Sequence, residues 1–195
     1  MADSELEEFV LVGGTSLSLQ IGHRMSSDID LFSAKGFNTN DLRKYLMERH
    51  SLTLFTISDI AIHGFIGNVK IDFVHCQNGF SYPYKLIDGI RMASLEDISI
   101  MKLEAITNTQ DRLKDYVDIA FLSAHLPLAK MLEVFKNKFG EDETYALRCL
   151  ASLNKVNLNN NIFLTQGIFD WKMVTERIRG MIGKPSECFK VMNFQ

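Results

Sequence analysis

The apolar run Phe9–Val12 stops at Gly13-Gly14, and soon afterwards the chain reads Asp28-Ile29-Asp30-Leu31-Phe32. An apolar run ending in two glycines predicts a strand that enters a tight turn, and Thr15–Ile21 then reads as a short helix ended by Gly22. The Asp28–Phe32 stretch alternates polar and apolar residues as a half-buried strand does. Residues i and i+2 of a strand project to one side, so Asp28 and Asp30 present adjacent carboxylates while Ile29 and Leu31 enter the core. So little precedes the first strand that a trimmed N-terminus, or one missing covering helix, is expected.

The rest of the first half mixes the same two elements. Asn38–His50 opens with capping residues and spaces Leu42, Tyr45 and Leu46 as one face of a helix. Leu52–Ile57, Ile60–Ile66 and Val69–Cys76 read as strands, the last two joined by a Gly67-Asn68 hairpin turn. From Ser94 the texture changes. Ser94 with Asp97 resembles a capping box for a helix running to about Thr107, and Asp111–Ala124, Leu128–Phe139, Asp142–Leu153 and Asp170–Ile182 follow as helices. The expected organisation is an α/β core with a mixed sheet over residues 1–92 and a helical bundle over residues 93–195, packed on that core.

Composition narrows the function classes. With 195 residues, 46% hydrophobic and 23% charged, the chain is a globular protein of about one domain with a helical extension. A net charge of −3 excludes a uniformly basic nucleic-acid binder, though not a local basic patch. Cys76, Cys149 and Cys188 lie far apart and are odd in number, which supports neither a disulfide framework nor a zinc site, and the five histidines show no metal-ligand spacing. The acidic start MADSELEEF lacks the pattern of a secretory signal, and no long apolar run is present. A cytoplasmic protein that does not engage a membrane is expected.

The two strand acids make a platform for a hard cation, because Mg²⁺ prefers carboxylate oxygens together with substrate phosphates. A third acid, Asp72, interrupts the strand-like Val69–Val74 on the side opposite Ile71 and Phe73. If that strand lies beside the Asp28 strand, three carboxylates converge. Gly13, Gly14 and Thr15 sit where a strand meets a helix N-terminus, where exposed amides and the positive dipole end favour phosphate. Plainer readings stand beside these. Arg24 has the option of simply balancing Asp28 or Asp30, Lys114 and Asp118 are spaced as a surface ion pair on a helix, and Lys102 among Ile98, Met101 and Ala105 reads as a lysine snorkelling from a helix edge. Ser16 and Ser26 lack the context of a hydrolase nucleophile.

Taken together, Leu11–Phe32 resembles the nucleotidyltransferase superfamily that includes DNA polymerase β, and more closely the AbiEii-type nucleotidyl transferases, the toxin half of some bacterial toxin-antitoxin and phage-defence pairs. The resemblance rests on Gly13-Gly14-Thr15, on His23-Arg24 leading to Asp28-Ile29-Asp30-Leu31-Phe32, on Asp72, on Met101-Lys102-Leu103-Glu104-Ala105-Ile106 and on Lys114-Asp115-Tyr116-Val117-Asp118. It covers about Phe9–Leu122, with a looser tail at Trp171 and Val174. One step departs from the pattern: Thr109 stands where many relatives carry arginine, with Arg112 as the nearest substitute.

The resemblance implies that Asp28, Asp30 and Asp72 hold two Mg²⁺ ions, with Mn²⁺ as an alternative, and that Gly13, Gly14 and Thr15 seat the triphosphate of a nucleoside triphosphate. It implies phosphate contacts from Arg24, Lys102 and Lys114, and a catalytic or orienting part for Lys102 and Asp118. The implied reaction moves a nucleoside monophosphate to an RNA, such as a tRNA end, or to a protein hydroxyl, and the implied partner is a cognate antitoxin. Two alternatives remain open at this point: a non-catalytic member that binds nucleotide or a partner, and a small-molecule transferase of the antibiotic-modifying kind.

Overall fold

The computed structural model describes residues 3–194. In it, β1 (Val10–Val12) passes directly into α1 (Gly13–Ile21), and β2 (Ile29–Ser33) follows. The hinge between β1 and α1 is Gly13, whose φ of 67° lies in the left-handed region that favours glycine. α2 (Thr39–His50) is capped by Asn38, whose side chain accepts from the amides of Asn40 and Asp41, and it buries Leu42 and Leu46. Next come β3 (Thr53–Ile57), β4 (Ala61–Ile66) and β5 (Val69–His75), a meander whose second turn is the expected Gly67-Asn68 pair.

A further hairpin, β6 (Lys85–Ile87) and β7 (Ile90–Met92), was not anticipated from sequence. Its signal was present, because the turn is Asp88-Gly89 and both residues have positive φ, 50° and 76°. The strands form one seven-stranded sheet in the order β3-β4-β5-β2-β1-β7-β6. The β2/β5 and β1/β7 pairs are parallel and the others antiparallel, so the sheet is mixed. Phe9, Leu31, Leu42, Leu46, Ile62 and Phe73 are among the residues that form its buried apolar cluster.

The second half is helical: α3 (Leu95–Asn108), α4 (Leu113–Leu122), α5 (Leu128–Phe139), α6 (Glu143–Leu150) and α7 (Trp171–Gly183). Asp142 and Asp170 cap α6 and α7 through their side chains, as capping residues at those places imply. α4 is buried nearly all round, with Tyr116, Val117, Ile119 and Leu122 fully enclosed. Such a helix is central to its bundle, and α3 and α7 both pack on it.

The chain divides into two compact units, one holding the residues up to Ser16 with Ser26–Ser94 and the other holding Leu17–Met25 with the residues from Leu95 onward. The end of α1 and the loop after it thus group with the helices. Among the described residues no helix is long and apolar enough to cross a membrane.

Candidate active site

The first unit gathers the strand acids. In the parallel β2/β5 pair, Asp30 stands in register with Asp72, and directly paired residues of neighbouring strands project from the same face. Asp28 lies immediately before β2, two residues from Asp30. Gly13 closes on this group from α1, because a Cβ built there would collide with Asp30 Oδ2. The Thr15 hydroxyl donates to the main-chain carbonyl of Asp28 and lies 2.9 Å from Ser26 Oγ, so the loop before β2 is tied to the first turn of α1. That turn carries amides with no partner inside the helix.

Asp72 is held at both oxygens. Lys70 Nζ lies 2.7 Å from Oδ2, and His63 Nδ1 lies 3.0 Å from Oδ1, at ion-pair distance but without hydrogen-bond geometry. The register explains both contacts, since His63 of β4 pairs with Asp72 and Lys70 precedes it by two residues on the same strand. The hydrogen bond to Asp72, with the charges of Asp72, Asp30 and Asp28 behind it, outweighs desolvation and raises the Lys70 ammonium above the usual lysine value. The charges of all three carboxylates are felt at Lys70.

The second unit contains a buried ion-pair cluster. Asp118 on α4 accepts from Arg24 Nε at 2.6 Å and Nη2 at 2.9 Å, pairs with His23 Nε2 at 2.8 Å, and lies 2.7 Å from Lys102 Nζ on α3. Lys102 also reaches Asp115 Oδ1 at 2.7 Å, and Arg112 Nε lies 3.0 Å from the other Asp115 oxygen. The Asp118 side chain is fully enclosed and that of Lys102 is 9% exposed. Burial alone would push the Asp118 carboxyl up, but Lys102, His23 and Arg24 outweigh it and hold it far below the usual carboxylate range. Burial likewise acts to lower Lys102, and Asp118 and Asp115 overcome it and raise the ammonium.

The structure thus brings Gly13, Thr15, Asp28, Asp30 and Asp72 together in the first unit, and Arg24, Lys102 and Asp118 together in the second. Arg24 gives two of its nitrogens to Asp118, and the third donates to the carbonyl of Met25. Lys102 does not snorkel; it is enclosed between two carboxylates. Lys114 is exposed, and the ion pairs of Asp118 go to other residues. Asp115, His23, His63 and Lys70 were missed as participants. Asp115 and Asp118 share a helix face at i, i+3, and Lys70 and Asp72 share a strand face at i, i+2, so these two spacings were readable.

Among the described residues no group of three His, Cys, Asp or Glu side chains stands arranged to hold a metal ion. The donor chemistry of the first unit nonetheless fits a hard divalent cation. It offers only carboxylate oxygens, from Asp28, Asp30 and Asp72, and a cation, Lys70, already occupies part of their focus.

Comparison with known proteins follows the same lines. Over 125 residues the chain is 29% identical to an uncharacterized protein of Aquifex aeolicus (strain VF5), a stretch taking in 59% of this chain and 57% of that one. The chain thus spans somewhat over half the length of the curated relative it matches. Among solved structures, JHP933 from Helicobacter pylori superposes with a TM-score of 0.59 at 20% identity, covering 90% of this chain and 82% of that one. Another crystal structure from H. pylori, provisionally described as that of a nucleotidyltransferase, gives 0.57 at 20% identity over 90% and 85% of the two chains. These two likenesses speak for the fold. The family described as nucleotidyl transferase AbiEii toxin, type IV toxin-antitoxin system, matches residues 1–52 and 64–186, leaving unmatched a stretch that holds β3 and the turn after it. With most of its length matched, the chain belongs to the AbiEii nucleotidyl transferase toxin family.

Proposed function

We propose that this protein transfers a nucleoside monophosphate from a nucleoside triphosphate to an acceptor hydroxyl, on RNA such as a tRNA end or on a protein. In this reading it acts as the toxin beside a cognate antitoxin. The observation that carries the reading is the acid group of the first unit: Asp30 and Asp72 in register on parallel strands, Asp28 two residues ahead, and the N-terminus of α1 closed against Asp30 through Gly13.

Asp28, Asp30 and Asp72 would hold Mg²⁺ or Mn²⁺. When bound, such ions activate the attacking oxygen and neutralise charge on the leaving pyrophosphate. The amides of Gly13, Gly14 and Thr15 receive phosphate oxygens, helped by the helix dipole. The acceptor oxygen forms its bond to the α-phosphorus as the bond to pyrophosphate breaks, and Asp72 takes the hydroxyl proton. Lys114 is assigned to phosphate charge, and Asp118 to holding Lys102 and Arg24 in fixed orientation.

The test incubates wild type and the Asp28→Ala/Asp30→Ala variant with Mg²⁺, each α-labelled nucleoside triphosphate in turn, and bacterial RNA plus lysate protein. Label on RNA or protein with wild type alone is the expected result. Absence of label under every nucleotide, with folding intact, would replace this reading with a binding function.

A further inference from the structure

We infer that Lys70 is a resident cation of the acid group, which holds Asp72 until a divalent metal displaces it and so sets how tightly that metal binds. The inference rests on the metal-binding reading above and adds to it a residue and a competition.

The argument starts from occupancy. Lys70 Nζ lies 2.7 Å from Asp72 Oδ2, while a hard divalent cation sits about 2.0–2.6 Å from its carboxylate oxygens. An ammonium and a metal ion on the same oxygen would be close neighbours of like charge in a partly buried setting, where charge repulsion is only weakly screened. One of them must leave. Asp72 is unable to turn away, because it is mostly buried, its backbone is fixed between β2 and β4, and His63 faces its other oxygen.

Lys70 is free of those restraints. Its side chain is 43% exposed, and its long flexible stem lets the ammonium swing into solvent without disturbing β5. The same contacts hold Asp72 toward Lys70 and His63. Neutralising Asp72 in this way also lessens the repulsion that crowded acids exert on the folded sheet. Metal binding then trades one cation for another, and the affinity measured for the metal is reduced by the work of moving Lys70 away.

The experiment measures Mn²⁺ binding to the whole chain, without nucleotide, by calorimetry and by the loss of the free-ion electron paramagnetic resonance signal. It compares wild type, Lys70→Met, Lys70→Arg and Asp72→Asn. Thermal unfolding of each variant confirms that the sheet is intact. Removing a unit charge next to the metal is expected to tighten Mn²⁺ binding by about tenfold or more in Lys70→Met. Lys70→Arg keeps the charge and stays near wild type, and Asp72→Asn weakens binding.

Equal affinity in wild type, Lys70→Met and Lys70→Arg, with Asp72→Asn weaker, would overturn the competition while leaving the metal reading standing. Weaker binding in Lys70→Met would overturn it too, by making Lys70 a support for the metal. No Mn²⁺ binding in wild type or Lys70→Met, or binding untouched by Asp72→Asn, would overturn the metal reading and the competition together.

Discussion

The acid group of the first unit and the ion-pair cluster of the second use the same residue types to opposite ends. In the cluster of the second unit both carboxylates meet cations: Asp118 pairs with Arg24 and Lys102 and lies against His23, and Asp115 pairs with Lys102 and Arg112, with the centre of the cluster closed to solvent. In the first unit three carboxylates share one face, half-buried or nearly so, around Lys70. An enclosed cluster whose charges pair with one another fixes chain geometry, since buried charges persist when they are paired. A group of acids that stays partly accessible, with only the mobile Lys70 against Asp72 Oδ2, is where the proposed metal would sit. On the proposed reading, the difference separates charges that hold the fold from charges that take a ligand.

The largest expected effects set the two clusters against each other. Asp30→Asn should lower nucleotide transfer by roughly 10²–10³-fold. It should change the melting temperature less than Asp118→Asn does, because Asp30 is only half-buried while Asp118 is fully enclosed. Asp118→Asn should do the reverse and cost about 3–5 kcal/mol of stability in urea unfolding, since Lys102 and Arg24 are left buried beside a neutral amide. A stable Asp118→Asn protein with abolished transfer would break the distinction, because it would give the enclosed cluster the catalytic weight.

The acid limb of the stability curve sharpens the same point. Asp118 has a folded-state pKa held well below its unfolded value, so it contributes stability that is present above about pH 4 and is lost as pH falls through the folded value. Lys102, raised in the folded state, contributes below its ordinary value near 10.5 and loses that contribution only as pH rises through the higher folded one. Between these limits the cluster is at full strength. Acid unfolding followed by circular dichroism should therefore show a less steep loss below pH 4 in Asp118→Asn than in wild type, from a lower starting stability.

What was legible in sequence divides along similar lines. The acid group was readable because its parts lie on short, local patterns: two glycines after an apolar run, alternation through Asp28–Phe32, and Asp72 at the polar phase of its own strand. Adjacency of the β2 and β5 strands was the one long-range condition, and the sheet order meets it. The enclosed cluster was not readable, since His23 and Arg24 meet Asp118 across 95 and 94 residues of sequence, a separation no spacing rule connects. The same limit made Lys102 look like an edge lysine, because its own helix supplies only uncharged neighbours at i±3 and i±4 and both of its carboxylates come from α4. The β6/β7 hairpin was passed over for a local reason: its strands are three residues each, too short for alternation to register, and only the Asp88-Gly89 turn marks it.

Gly13→Ala tests how closely the helix start and the acids are joined. Alanine at φ 67° is strained by about 1–3 kcal/mol, and its Cβ meets Asp30 Oδ2. The expected result is a stability loss of that size together with reduced transfer, since relief of the collision must shift either α1 or the Asp30 carboxylate. Combining it with Asp30→Ala should recover stability in part, because the collision is then removed and only the backbone strain remains, as a double-mutant cycle would read.

The smallest effect belongs to Lys114, and it bears on where the line between the two kinds of charge falls. Lys114 and Asp115 are sequence neighbours at the start of α4, yet Asp115 is enclosed with Lys102 and Lys114 is exposed. Truncating an exposed lysine outside any cluster changes stability by no more than about 0.5 kcal/mol. Lys114→Ala should therefore unfold with wild type, whereas Asp115→Asn should lose several kcal/mol by leaving Lys102 short of a partner. If Lys114 serves phosphate, as proposed, its removal should raise the KM for nucleoside triphosphate with kcat little changed, and the rise should shrink at high salt as the charge is screened. An unchanged KM at low salt would return Lys114 to the solvated surface and leave the transferred phosphate to the amides of α1 and the acids of β2 and β5.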